Sequence, residues 1–202
     1  MENEGFSLEL CDEISRIAAP EWDNVAGTEN PFVCHAFLTA LEAGKAVGGD
    51  TGWDPLHLVM RDDSGKLIAA MPHYLKHHSY GEYIFDHSWA NGFMRAGGRY
   101  YPKMLAAIPF TPATGPRLLT GAATGTRRQQ LISRLAKGMR RYVEKLQLSS
   151  AHVNFLPSED ANALVDEGWL LRHSIQFHWH NNGYNCFDDF LASLSSRKRK
   201  NI

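Results

Sequence analysis

Seven apolar side chains, Leu131, Ile132, Leu135, Met139, Tyr142, Val143 and Leu146, recur at the three- and four-residue intervals of a single helix face. They predict a helix over 127–146 whose stripe must be buried against another layer. The flanking chain supplies that layer: an apolar run predicts a strand near Arg117–Thr120, and AHVNFLP (151–157) alternates as a strand. Strand, helix and strand in this order place the chain in the α/β class.

The remaining elements extend the same plan. FSLELCD (6–12) alternates as a half-buried strand, and Asn30-Pro31 opens a helix whose face carries Val33, Phe37, Ala40 and Leu41. PLHLVMRD (55–62), the turn Asp63-Ser64-Gly65, and KLIAAMPHYLKHH (66–78) read as a hairpin, with YGEYIFDHSWA (80–90) as an adjacent strand. Residues 91–116 read as a long ordered loop with a short helix near 102–108. Ser158 opens a helix ended by Gly168, HSIQFHWH (173–180) reads as a strand, and a last helix starts at Asn185. The expected fold is one α/β domain over 1–202, with a mixed central β-sheet and helices on both faces.

Five Trp, seven Tyr and ten Phe argue for a packed core. The net charge is −1, but Arg197, Lys198, Arg199 and Lys200 concentrate basic charge at one end and leave the rest mildly acidic, which excludes a general nucleic-acid binder. Cys11, Cys34 and Cys186 form no CxxC pair and read as free thiols. No signal-peptide pattern and no apolar run of transmembrane length are seen, so a cytoplasmic protein is expected.

Two features can carry chemistry. Gly121 and Gly125 bracket a turn between strand and helix, with Thr126 and Gln129 spaced as a capping box and Arg127 and Arg128 in the first turn. Cations there oppose the helix dipole, so either the arginines are solvated beside a plain connection or an anion occupies the turn. The string is neither GxxxxGK[ST] nor GxGxxG, and it lacks the RxxGxG/A form of acyl-CoA loops. His178 and His180, with Gln176, fall on one face of the expected strand. They read first as an ordinary polar sheet face; among functional roles a general base fits better than a metal site, because no carboxylate stands at a diagnostic spacing. Cys34 beside His35 is poorly placed for a nucleophile pair, since adjacent helical positions diverge.

PFVCHAFLTALE (31–42), YYPKMLAAIPFTPATGPRLL (100–119) and QFHWHNNGYNCFDDFLASLSSRKRK (176–200) together resemble the Fem-like (FemAB-related) family of peptidoglycan biosynthesis, within the GNAT acyltransferase superfamily. The resemblance implies a GNAT-like sheet and acyl or aminoacyl transfer to an amine, from acyl-CoA or a charged tRNA and without a metal. It implies a donor loop at Gly121, Gly125, Thr126, Arg127 and Arg128, and an acceptor side lined by Tyr100, Tyr101, Lys103, Thr111, Thr114 and Arg117. Backbone N–H groups near 117–121 would hold the oxyanion, and His178 or His180 would take the proton. Fem-like proteins continue into a second such domain, so 187–202 is expected to lead toward it, with Phe187, Phe190, Leu191 and Leu194 uncovered and a homodimer as the closed solution. The alternative is a non-catalytic module that binds a substrate or partner.

Overall fold

The computed structural model describes residues 5–202, in two units, 5–171 and 172–202. In the first unit, β1 (Phe6–Cys11) pairs antiparallel with β3 (His57–Asp62), which pairs antiparallel with β4 (Leu67–Met71). Alternation along β3 sends Leu58 and Met60 to one face and Val59 to the other. The first face packs on Leu131, Ile132, Leu135 and Met139 of α4 (Gly125–Lys145), as the stripe predicts. The second packs on Trp22 and Val25 of α1 (Ala19–Ala26) and Leu38 of α2 (His35–Ala43). Helices on both faces of this sheet are as expected. Helix α1, opened by Pro20 in its first turn, is an addition to the sequence reading.

The expected single central sheet is two sheets. Beyond Leu56 and Pro72 the hairpin continues as β2 (Trp53–Pro55) and β5 (His73–Lys76), which belong to a second sheet of order β2-β5-β6-β7. Proline has no N–H to donate, so the ladder is interrupted at Pro72, and one bond from Leu56 N–H to the His73 carbonyl (2.8 Å) spans the change. Strand β6 (Lys103–Ala106) replaces the short helix expected there, and it runs parallel to β7 (Ala151–Val153). Helix α4 lies in the connection between β6 and β7, so a βαβ unit forms, but its first strand is β6 and not the expected strand at 117–120. Near 117–120 the strand shrinks to a single bridge, Leu119 to Ala70.

Residues 80–90 form no strand. They turn through Gly81 and lead into α3 (His87–Arg95), because Tyr83 and Phe85 hold positive φ values of 57° and 54° that extended chain excludes. Helix α5 (Ser158–Asp166) forms as expected and Gly168 turns the chain out of it. In the unit 172–202, residues 173–180 are irregular, not a strand; Asn181 Oδ1 accepts the N–H groups of Gly183 and Tyr184. Helices α6 (Phe187–Ser193) and α7 (Ser196–Arg199) follow, and Phe190 packs against the rings of Trp179, Tyr184 and Phe187. Among the described residues no helix is long and apolar enough to cross a membrane.

Candidate functional site

Lys76 ends β5 and Lys103 begins β6, so their antiparallel pairing sets the two lysines directly opposite each other. Both are wholly buried. Lys103 Nζ donates to Ser79 Oγ (3.0 Å), Glu82 Oε2 (3.0 Å) and Asp86 Oδ2 (2.9 Å). The hydroxyl of Tyr100 donates to the same Asp86 oxygen (2.8 Å), and that of Tyr101 meets Ser79 Oγ (2.7 Å). Lys76 Nζ stands 3.7 Å from the centroid of the Trp53 ring and donates to the Tyr80 carbonyl (3.3 Å), which also accepts the Trp53 indole N–H (3.1 Å).

Burial governs the electrostatics. Desolvation pulls the Lys76 ammonium down to about 7, with the Glu82 carboxylate working against it. Desolvation also raises the Glu82 carboxyl, whose Oε1 is buried without a hydrogen-bond partner. For Asp86, burial acts upward but is outweighed by bonds from Ser79, Lys103 and Tyr100, which hold the carboxyl at about 2. Two buried lysines and two buried carboxylates therefore share one cluster, an arrangement that costs several kcal/mol per uncompensated ion and that clusters at working sites.

Ser79 and Tyr80, which bond Lys103 and Lys76, also line a cleft of about 300 Å³ together with Gly81, Tyr83, Phe85, His87 and Phe110. Phe110 also has positive φ, 58°, and its ring lies so close to Gly81 that an added Cβ would stand 2.7 Å from it. Three left-handed non-glycine residues thus line one cleft, each strained by about 1–3 kcal/mol.

The expected acceptor residues divide. Tyr100, Tyr101 and Lys103 come together in the cluster. The Thr111 hydroxyl donates to the Pro109 carbonyl (3.1 Å) and Thr114 is exposed. Arg117 is buried elsewhere, donating to the carbonyls of Ala113 (2.7 Å) and Pro116 (3.0 Å), and desolvation lowers it to about 10. Lys76, Ser79, Glu82 and Asp86 are additions. The four-residue spacing of Glu82 and Asp86 inside an apolar, aromatic stretch was the available signal, masked by reading that stretch as a strand.

The donor turn is largely committed to the fold. The Gly121 N–H donates to the Val25 carbonyl (2.9 Å), and Leu119 N–H donates to Ala70 (2.9 Å), so these amides are not free for an oxyanion. Helix α4 starts two residues earlier than the capping box requires: Thr124 is the N-cap, without a side-chain cap bond, and Thr126 lies inside the first turn. Arg128 bonds Glu159 (3.2 Å) and the buried Asp160 in the first turn of α5, which offsets the dipole cost of a cation at its position. Gly125 and Thr126 are exposed and Arg127 is half-buried.

His178 and His180 are exposed in the unit 172–202, their rings stacked with centroids 6.4 Å apart, and His178 Nε2 meets Gln176 Oε1 (3.1 Å). Among the described residues no group of three or more His, Cys, Asp or Glu side chains is arranged to hold a metal ion.

No protein of curated function matches the chain in sequence. Among solved structures, the aminoglycoside antibiotic 6'-N-acetyltransferase of Acinetobacter baumannii is similar with a TM-score of 0.48 at 12% identity, over 89% of this chain and 100% of that one. Residues 13–202, which hold the cluster, the cleft and the donor turn, match the FemAB-like family, described as peptidoglycan biosynthesis/recognition, and the chain belongs to that family.

Proposed function

We propose that the protein transfers an acyl or aminoacyl group to an amine in peptidoglycan biosynthesis, with the amine entering the aromatic cleft above Lys76, Glu82, Asp86 and Lys103. The observation that carries this reading is the burial of Lys103 in contact with Glu82 and Asp86, with the buried Lys76 opposite it across the sheet. The amine nitrogen attacks the carbonyl carbon of a thioester or ester donor, a C–N bond forms, and the C–S or C–O bond breaks. The proton released from nitrogen passes to the neutral form of Lys76, whose ammonium is held at about 7 by burial. Lys76 takes here the role that the sequence reading gave to His178 and His180. The phosphates of acyl-CoA or of a charged tRNA fit the exposed start of α4 at Gly125, Thr126 and Arg127, where the dipole favours an anion.

A second reading, recognition without chemistry, is favoured by the complete burial of Lys76 and Lys103, since a ligand in the cleft meets aromatic rings first. Thiol release from acetyl-CoA, or loss of aminoacyl ester from charged tRNA, in the presence of a muramyl peptide distinguishes the two. Transfer predicts turnover that falls about 100-fold or more in Lys76→Met and Glu82→Gln. Muramyl-peptide binding with no turnover from either donor would leave recognition alone.

A further inference from the structure

Tyr83 and Phe85 line the cleft, but the rest of the segment 83–99 has a composition and exposure that the acyl-transfer reading does not use. Helix α3 buries only Ala90. Phe85 (74% exposed), Trp89 (65%) and Phe93 (53%) stand in solvent with Tyr83 and Met94. The backbone holds two of these outward at a conformational cost, since Tyr83 and Phe85 are left-handed. The charge is one-sided. Glu82 and Asp86, the only carboxylates between 77 and 101, are buried and bonded to Lys103, so the exposed charges of this stretch are the cations Arg95 and Arg99. Arg99 is anchored by a bond to the Gln147 carbonyl.

We propose that this segment docks on an anionic lipid surface, with Tyr83, Phe85, Trp89 and Phe93 entering the headgroup boundary and Arg95 and Arg99 meeting lipid phosphates. Amphipathic aromatic rings partition to that boundary and basic residues add attraction to anionic headgroups. The helix is far too short to span, so it lies in the interface. A second copy of the chain fits less well: a two-fold contact would set Arg95 and Arg99 of each copy against the same cations of the other, whereas an anionic membrane complements them.

Cosedimentation with vesicles of equal parts phosphatidylglycerol and phosphatidylcholine, against phosphatidylcholine alone, in about 0.1 M salt, tests this. The protein is expected to bind the anionic vesicles. Binding is expected to fall about tenfold in Trp89→Ala/Phe93→Ala, and the preference for anionic lipid to disappear in Arg95→Glu/Arg99→Glu and in Arg95→Glu alone, which leaves the Arg99 bond to Gln147 in place. A charge-reversed Arg197–Lys200 tail should bind as before. No binding to either vesicle, loss of binding only in the tail variant, or light scattering that shows self-association abolished by Trp89→Ala/Phe93→Ala would each overturn the proposal.

Discussion

Lys76 Nζ lies 3.7 Å from the centroid of the Trp53 ring, shut off from water. The ring face offers partial negative charge but cannot replace hydration, so the ammonium is held at about 7 rather than near 10. One side chain thereby links the second sheet to the chemistry proposed above it: a lysine at the end of β5 is neutral for part of the time near pH 7.

That shift fixes the sign of a pH effect. Between about 7 and the ordinary lysine value, the unfolded chain binds a proton at Lys76 that the folded chain does not, so this group makes stability rise with pH. The penalty is fully present below about 7 and fades as pH climbs toward the unfolded value. Urea denaturation of the wild type and Lys76→Met from pH 7 to 9.5 should show the wild type gaining on the variant by at most about 1.4 kcal/mol per pH unit. Parallel curves would mean that Lys76 stays charged in the fold.

Lys103 is the cation that makes Glu82 and Asp86 tolerable inside the protein. Lys103→Met leaves two buried carboxylates without it and should cost about 3–5 kcal/mol. Asp86→Asn in the same background should cost less than it does alone, with a coupling of about 0.5–3 kcal/mol in a double-mutant cycle read by chemical denaturation. Additive losses would show that the 2.9 Å contact carries no energy of its own.

The sequence disclosed the parts of this fold whose periodicity is imposed by one buried face. The α4 stripe and the alternation of β1 and β3 were legible because each points apolar groups at a single layer. Strand β6 was misread as a helix because Lys103, Met104, Leu105 and Ala106 are all buried, and a short continuous run has no period to read. The stretch 80–90 was misread because positive φ at Tyr83 and Phe85 is written in no glycine. Residues 173–180 alternate well, yet a strand needs a partner, and none pairs with them among the described residues of their unit. The site was half legible: Tyr100, Tyr101 and Lys103 stand in the cluster, while its carboxylates and Lys76 arrive from elements whose pairing only the fold reveals.

Gly121 is a structural glycine. Its φ is +58°, and a Cβ would stand 2.9 Å from the Asn24 carbonyl oxygen at the end of α1. Gly121→Ala should therefore lower stability by about 1–3 kcal/mol, whereas the same change at Gly125, where a Cβ meets open space, should cost less. Thermal unfolding of the two variants decides this, and equal losses would place the strain outside the contact with Asn24.

The paired arginines at the start of α4 should behave differently from each other. Arg128 reaches Glu159 and the buried Asp160, so Arg128→Ala strands a carboxylate that has little access to water. Asp160 has one oxygen on Arg128 and the other without a hydrogen-bond partner, and Arg117 is the remaining cation that acts on it. The variant should lose about 1–3 kcal/mol, and Arg128→Ala/Asp160→Asn should recover part of that loss, since the neutral amide removes the stranded charge. Arg127→Ala strands no buried carboxylate of α5 and should cost less than Arg128→Ala. If the start of α4 receives donor phosphates, Arg127→Ala should also weaken binding of CoA, read by calorimetry, while the folded fraction of Arg128→Ala binds CoA normally. Loss of CoA binding in Arg128→Ala alone, with Arg127→Ala unaffected, would instead make Arg128 the anion ligand and its contact with Asp160 a resting arrangement.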